Sequence, residues 1–194
     1  MKYIKMLGLA AIAAAAMMAF AGSASATIIT SPEGTPFTGT IEATSTHTSL
    51  HPGSGTSFLT VTCEHSFVKG TIEKHGAAVT AEGPLSELTF SKCTDPVTVA
   101  KPGRLVAHTI AKGTATLTSV GAEVLIHTSE GPTCTFTTGA GVDIGVLEDS
   151  KHTGGNATLN IGSSSIPASG FLCPSTGVWT GDYKVTAPSK IYVD

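Results

Sequence analysis

Charge is scarce in this chain. Asp, Glu, Lys and Arg make up 13% of the 194 residues, and the formal net charge is −3. No block of basic residues occurs, so the electrostatic footprint that nucleic acid or an anionic membrane surface requires is missing. Aromatic residues are equally thin at 6%, with a single tryptophan. After Ala26 no stretch repeats apolar residues at i, i+3, i+4 and i+7 between helix caps, which excludes a helical domain. There is no C-x-x-C, H-E-x-x-H or H-x-H, no G-x-S-x-G and no D-x-D-x-D-G loop. Each absence removes the local signature of a common metal or hydrolase site.

The first residues do have a pattern. Lys2 and Lys5 precede an apolar run from Met6 to Phe20, and Gly22-Ser-Ala-Ser-Ala26 supplies small residues with an Ala-x-Ala ending. This is the layout of a secretory signal peptide over 1–26, with cleavage after Ala26. The run falls short of the roughly 20 residues of a spanning helix, so no membrane span is expected after cleavage. The leader holds two lysines and no acid, so the net charge of −3 for the whole chain becomes −5 for residues 27–194. That remainder has the length of a single domain.

What fills the remainder is strand text. Thr and Ser take most polar positions, and Thr is a β-branched residue suited to a pleated surface. Alternating apolar residues mark strands at Phe37–Ser45, Phe58–Cys63, Phe67–Glu73, Leu85–Cys93, Val97–Ala100, Cys134–Thr137, Val142–Glu148, Ala157–Ile161, Val178–Thr186 and Lys190–Val193. Thr46–Thr56 reads as a loop, Gly83-Pro84 as a break and Ser163–Ser169 as weakly specified. Arg104–Ala111, Thr114–Val120 and Glu123–Ser129, separated by Lys112-Gly113 and Gly121-Ala122, predict a three-stranded meander. Turn signals every eight to twelve residues have the rhythm of a sandwich or open barrel, and we expect an antiparallel β-sandwich, Ig-like or jelly-roll-like.

An even number of cysteines in an exported chain points to disulfides. Four cysteines, Cys63, Cys93, Cys134 and Cys173, allow three pairings. The two halves of the chain are alike, each running cysteine, strand, turn, strand, cysteine, and an internal two-fold repeat would favour Cys63–Cys93 with Cys134–Cys173. Each would close a loop of roughly 30–40 residues, about 3–4 kcal/mol in the chain-entropy model.

Chemistry is harder to find. His47 and His51 share a loop, His108 and His127 lie in strands, and none has metal-ligand spacing. Asp143, Glu148 and Asp149 form the densest acidic stretch and read as a solvated strand end. Single glutamates on alternating strands do not form the carboxylate pair of a glycosidase. Ser163-Ser-Ser165 lacks a nucleophile elbow, and Asn156-Ala-Thr158 is a formal glycosylation sequon. We expect no catalytic residue, no metal and no cofactor. Trp179 and Tyr183 fall on one face of a strand with Gly181, as a core pair or as a ligand platform.

Two passages carry a resemblance. Ile29-Thr-Ser-Pro-Glu-Gly-Thr-Pro-Phe-Thr-Gly-Thr40 resembles the opening of small secreted bacterial proteins known as protein activators of alkane oxidation (Pra-type). Leu88-Thr-Phe-Ser-Lys-Cys-Thr94 and Phe171-Leu-Cys-Pro174, with Trp179-Thr-Gly-Asp-Tyr-Lys-Val-Thr186, look like uncharacterised secreted proteins of soil actinobacteria. The four-cysteine layout departs from the Pra pattern. The resemblance implies an extracellular, surface-active, non-enzymatic helper of hydrocarbon use and supplies no catalytic residues.

The resulting expectation is a secreted or envelope-associated β-protein that is not an enzyme and acts through its surface, in adhesion, matrix formation or contact with a hydrophobic substrate. Its partners would be a cell surface, a polysaccharide or such a substrate, with no nucleic acid. The alternatives are a small-ligand or glycan-binding module using Trp179 and Tyr183, and a hydrolase of unknown type.

Overall fold

A computed structural model describes residues 29–53, 60–75, 80–128 and 131–194. The leader expected over 1–26 and the start of the strand expected at Phe58 lie outside these residues. Fifteen strands and one helical turn are described. The long ones are β4 (Val61–Ile72), β6 (Thr80–Cys93), β13 (Thr158–Ser169) and β14 (Thr176–Ala187).

The architecture is a closed barrel, not the expected sandwich. Its eight staves follow the chain: β2 (Gly39–Ser45), β4, β6, β8 (Arg104–Ala111), β9 (Thr114–Val120), β12 (Val142–Glu148), β13 and β14. Every neighbouring pair is antiparallel, and β14 returns to β2, so the first stave pairs with the last. A sandwich keeps open edges, whereas closure removes them. Sandwich and barrel strands share the same alternation of inward apolar and outward polar residues. What differs here is stave length and the register shifts that curve the sheet, as at Ile161/Ser164 in β13 and Lys69/Gly70 in β4.

Several segments were read differently in the sequence. The expected loop at Thr46–Thr56 contains β3 (Thr48–Pro52), which continues β2 on the same register against β4: Ser45 faces Ser66 and Thr48 faces Cys63. The two are one bent strand. At the bend Ser45 Oγ donates to the His47 carbonyl at 2.9 Å and accepts from the His47 N–H at 3.3 Å. Gly83-Pro84 does not break β6. Pro84 needs no ladder donor where it faces Arg104, and a Cβ on Gly83 would fall onto the Thr71 carbonyl, so only glycine lets β4 and β6 approach there. Ser163–Ser169 is the upper half of β13.

The expected three-stranded meander is only a hairpin of β8 and β9. After Gly121 the chain leaves the barrel. β10 (Glu123–His127) pairs with β7 (Val97–Lys101) and β11 (Thr133–Thr137), and β11 joins the upper end of β13. This accessory sheet covers one barrel end with Ile126, Cys134 and Phe136, each at most 4% exposed.

The other end is plugged. β1 (Ile29–Thr30) pairs with β15 (Tyr192–Val193), burying Ile29, Ile191 and Val193. Asp149 fastens this plug. It caps the helical turn α1 (Ser150–Thr153), accepting from the His152 N–H at 2.7 Å, and its other oxygen accepts from the Val193 N–H at 3.3 Å. It is 2% exposed, which corrects the reading of a solvated strand end for Asp149, while Asp143 is exposed and Glu148 half-buried.

Both disulfides form along the local pairing, Cys63–Cys93 and Cys134–Cys173. Cys63 and Cys93 face each other across β4 and β6. Cys134, in β11, is tied to the turn between β13 and β14. The two cysteine-bounded segments are built differently, one from barrel strands joined directly and the other running through β11, β12, α1 and β13. The likeness of the halves therefore lies in strand text and not in structure.

Removing the Asp149 carboxylate leaves the buried Val193 N–H and the part-buried His152 N–H without their acceptor. Asp149→Ala should lower unfolding stability in urea by about 2–4 kcal/mol, and Asp149→Asn, which keeps one acceptor, by less.

Candidate functional site

The interior of the barrel is where the sequence-selected aromatics meet. In β14, Gly177, Trp179, Gly181, Tyr183 and Val185 alternate inward. Tyr183 is 1% exposed and Val185 is fully buried. Trp179 is half-buried and packs edge-on between two rings, with centroids 5.6 Å from Phe90 and 6.0 Å from Tyr183. Such pairs contribute roughly 0.5–1.5 kcal/mol each beyond area burial. Trp179 touches both apolar clusters, that of the barrel and that under the accessory sheet, the latter including Cys63 and Cys93. The lone tryptophan is the joint between two cores.

Gly181 makes this arrangement possible. A Cβ there would meet the Thr48 methyl at 2.7 Å and the Tyr183 ring at 3.2 Å. Thr48 pairs directly with Gly181, and Leu50 pairs with Trp179, so Thr48 and Trp179 are diagonal neighbours on one inward face.

Above and below this layer the packing is incomplete. Two cavities of about 80 Å³ each lie in the interior. Val68, Leu85, Leu105 and Leu159 are common to the walls of both. The upper cavity is bounded by Trp179, Tyr183, Thr48, Phe90, Phe136 and Ile166, among others. Its described lining contains no histidine, carboxylate, lysine or arginine, and Tyr183 is its only ionisable side chain. Tyr183 donates to Ser66 Oγ at 2.7 Å, and Ser66 in turn donates to the Thr89 carbonyl. Burial pushes the phenol far above its usual range, and the hydrogen bond with Ser66 offsets only part of that.

Two polar atoms in this wall are unmatched. Thr48 Oγ1 and Trp179 Nε1 are buried and have no hydrogen-bond partner among the described residues. Thr48 is 2% exposed. The sequence reading placed Thr48 in a loop, and its only signal was the alternation Thr48-Ser-Leu-His51, obscured by the Gly and Pro that follow.

Ser49 lines the upper cavity with its hydroxyl paired, and the other candidates stand apart from it. Ser49 Oγ lies 2.9 Å from His51 Nε2 and 2.7 Å from Thr180 Oγ1. His51 and His47 are exposed, and no group of three or more metal-ligating side chains occurs among the described residues. Asn156 of the sequon donates to the Val185 carbonyl at 2.6 Å. No helix among the described residues is long and apolar enough to cross a membrane. The two disulfides are consistent with an extracellular protein.

At the far rim sit two exposed apolar side chains that sequence reasoning passed over, Phe171 at 80% and Leu172 at 65%. They occupy the turn between β13 and β14, clamped by the Cys134–Cys173 bond and a hydrogen bond from the Cys173 N–H to the Gly170 carbonyl. Leu172 has φ +61°, a conformation that costs a leucine about 1–2 kcal/mol.

The Tyr183 phenol gives a pH signature. In the unfolded chain it ionises near the ordinary tyrosine value of about 10, whereas the folded chain keeps it protonated well above that. Its contribution is therefore complete below pH 10 and is lost as pH rises beyond it, by up to about 1.4 kcal/mol per pH unit. Urea titrations between pH 9 and pH 12 should show this loss in the wild type and not in Tyr183→Phe.

Comparison with known protein families, with curated proteins and with solved structures finds no match to this chain, so the geometry above stands alone as a guide to function.

Proposed function

We propose that this protein is a non-enzymatic binding barrel, working outside the cytoplasm, that holds a small apolar ligand in its interior. The observation that carries this reading is the incomplete packing of a closed eight-stranded barrel. Such an interior is just wide enough to be filled by side chains or to hold one small ligand. Protein cores are packed to crystal density, and an unfilled apolar volume forfeits dispersion contacts on every wall. Here the unfilled volume sits beside the only tryptophan and the most buried tyrosine, apolar with a few polar groups, as ligand sites are. The absence of any acid–base group from its described lining other than a tyrosine held neutral supports binding over catalysis.

Xenon tests this directly, because it enters small apolar cavities and quenches indole fluorescence. Xenon should quench Trp179 with saturation in the folded protein, and Ile161→Phe, which fills the same wall, should abolish the saturable part. Linear quenching like that of the urea-unfolded chain would overturn the reading.

A second reading, contact with a hydrophobic surface, is favoured by Phe171 and Leu172. Residues 153–181 carry no Asp, Glu, Lys or Arg, so nothing charged in the tip's own segment opposes its entry into an apolar phase. Each side chain transferred is worth up to about 1.5–3 kcal/mol. The protein should lower air–water interfacial tension at micromolar concentration. Phe171→Ser with Leu172→Ser should raise the concentration required by at least about 10-fold. An unchanged curve would remove this reading.

A further inference from the structure

We infer that the interior ligand is a small aliphatic molecule carrying a single oxygen, an alcohol or ketone, received at the Thr48–Trp179 end of the upper cavity. This rests on the reading that the interior takes a small ligand and names its chemistry.

The inference starts from two polar atoms. A buried hydroxyl and a buried indole N–H with no partner among the described residues each carry a desolvation penalty that folding does not recover. Both belong to the same inward face, on adjacent strands, beside the same cavity. The other polar groups around that cavity are satisfied. Ser119 Oγ donates to Thr138 Oγ1, Thr138 accepts from the Ala122 N–H, and the Tyr183 phenol donates to Ser66. Only Thr48 and Trp179 are left over, and their chemistry is specific. The indole can only donate, and the hydroxyl can donate or accept. An oxygen satisfies both: an alcohol accepts from the indole and donates to or accepts from Thr48, and a ketone accepts from both. An amine or a carboxylate would bring a charge into a wall with nothing to balance it.

The rest of the ligand must be apolar and slim. Beyond the polar pair the walls are mostly Leu, Ile, Val, Ala and Phe; the one charged side chain among the described linings, Glu82 of the lower cavity, is paired with Arg104 at 3.1 Å, and the two cavities together have roughly the volume of an engineered site that holds benzene. The side chains common to both walls are flexible aliphatics, so a short chain can thread between them.

An entry route exists in the sheet. β8 pairs with β6 only over Thr80–Pro84, and β7 pairs only with β10. Beyond the Leu85 N–H bond to the Gly103 carbonyl, no ladder among the described residues joins the upper half of β6 on this side, and the wall there is closed by the half-buried side chains of Leu85, Phe90, Val97, Pro102 and Val124.

The test compares 1-pentanol with its near-isostere n-hexane, titrated into wild type and Thr48→Val and followed by Trp179 fluorescence. Thr48→Val keeps the shape and removes the hydroxyl. It should weaken 1-pentanol by about 10-fold while leaving n-hexane unchanged or tighter. It should also raise the melting temperature of the ligand-free protein, since an unmatched hydroxyl is removed. An affinity ratio between the two probes that stays within about 2-fold of wild type would overturn the oxygen assignment and leave the binding reading standing. A lower melting temperature would overturn it too, because Thr48 would then have a partner in the folded protein. Failure of wild type to bind either probe would overturn the binding reading and this inference together.

Discussion

Everything in this fold depends on one ladder, the pairing of the last stave with the first. A sheet of eight strands has two edges whose N–H and C=O groups must find partners, and here they find each other through Val185–Ala43 and its neighbours. β2 alone is too short to span the gap between β4 and β14. The chain spans it by bending at Ser45–His47 and continuing as β3, so one broken strand serves both ends of the seam. The bend also turns Thr48 inward opposite Gly181. The seam that closes the barrel and the polar end of its cavity are thus the same few residues.

Closure also explains the division of labour among apolar residues. Inside, two clusters meet at Trp179 and do not merge into one dense core. The accessory sheet supplies the second cluster, and the Cys63–Cys93 and Cys134–Cys173 bonds hold its two sides. A chain with so little charge has few surface ion pairs to draw on, and exposed pairs contribute little in any case. Covalent clamps and a plugged end take that part instead.

Much of the strand content was legible because alternation is local. Val142–Glu148 was read with its final boundaries, and the inward set of β14 follows from Trp179, Gly181 and Tyr183 at every second position. The cysteine pairing was legible as well, though its rationale, a repeat, was not the physical cause: Cys63 meets Cys93 because their strands are ladder neighbours. Closure was not legible, since nothing in Ala43 or Val185 announces that they will face each other. Thr48 was missed because Gly and Pro shortly after it signal a loop, and the bend that keeps it in register is made by one serine hydroxyl. Asp149 was misread because a carboxylate at a strand end is usually solvated, and only the returning C-terminal segment buries it.

The plug has a consequence for timing. Its two strands come from opposite ends of the described chain, and Thr30 bonds Asp194 across 164 positions of sequence. The seam likewise waits for β14. A chain growing or emerging from its N-terminal side can form hairpins early, β8 with β9 for example. It cannot close a cavity, cap an end or bury Asp149 until β14 and β15 have arrived. Such distant contacts are slow to form, because the entropy of the intervening chain must be given up first. The barrel is thus fastened last, by β14 and β15, and hairpins formed earlier stay part of an open sheet until then.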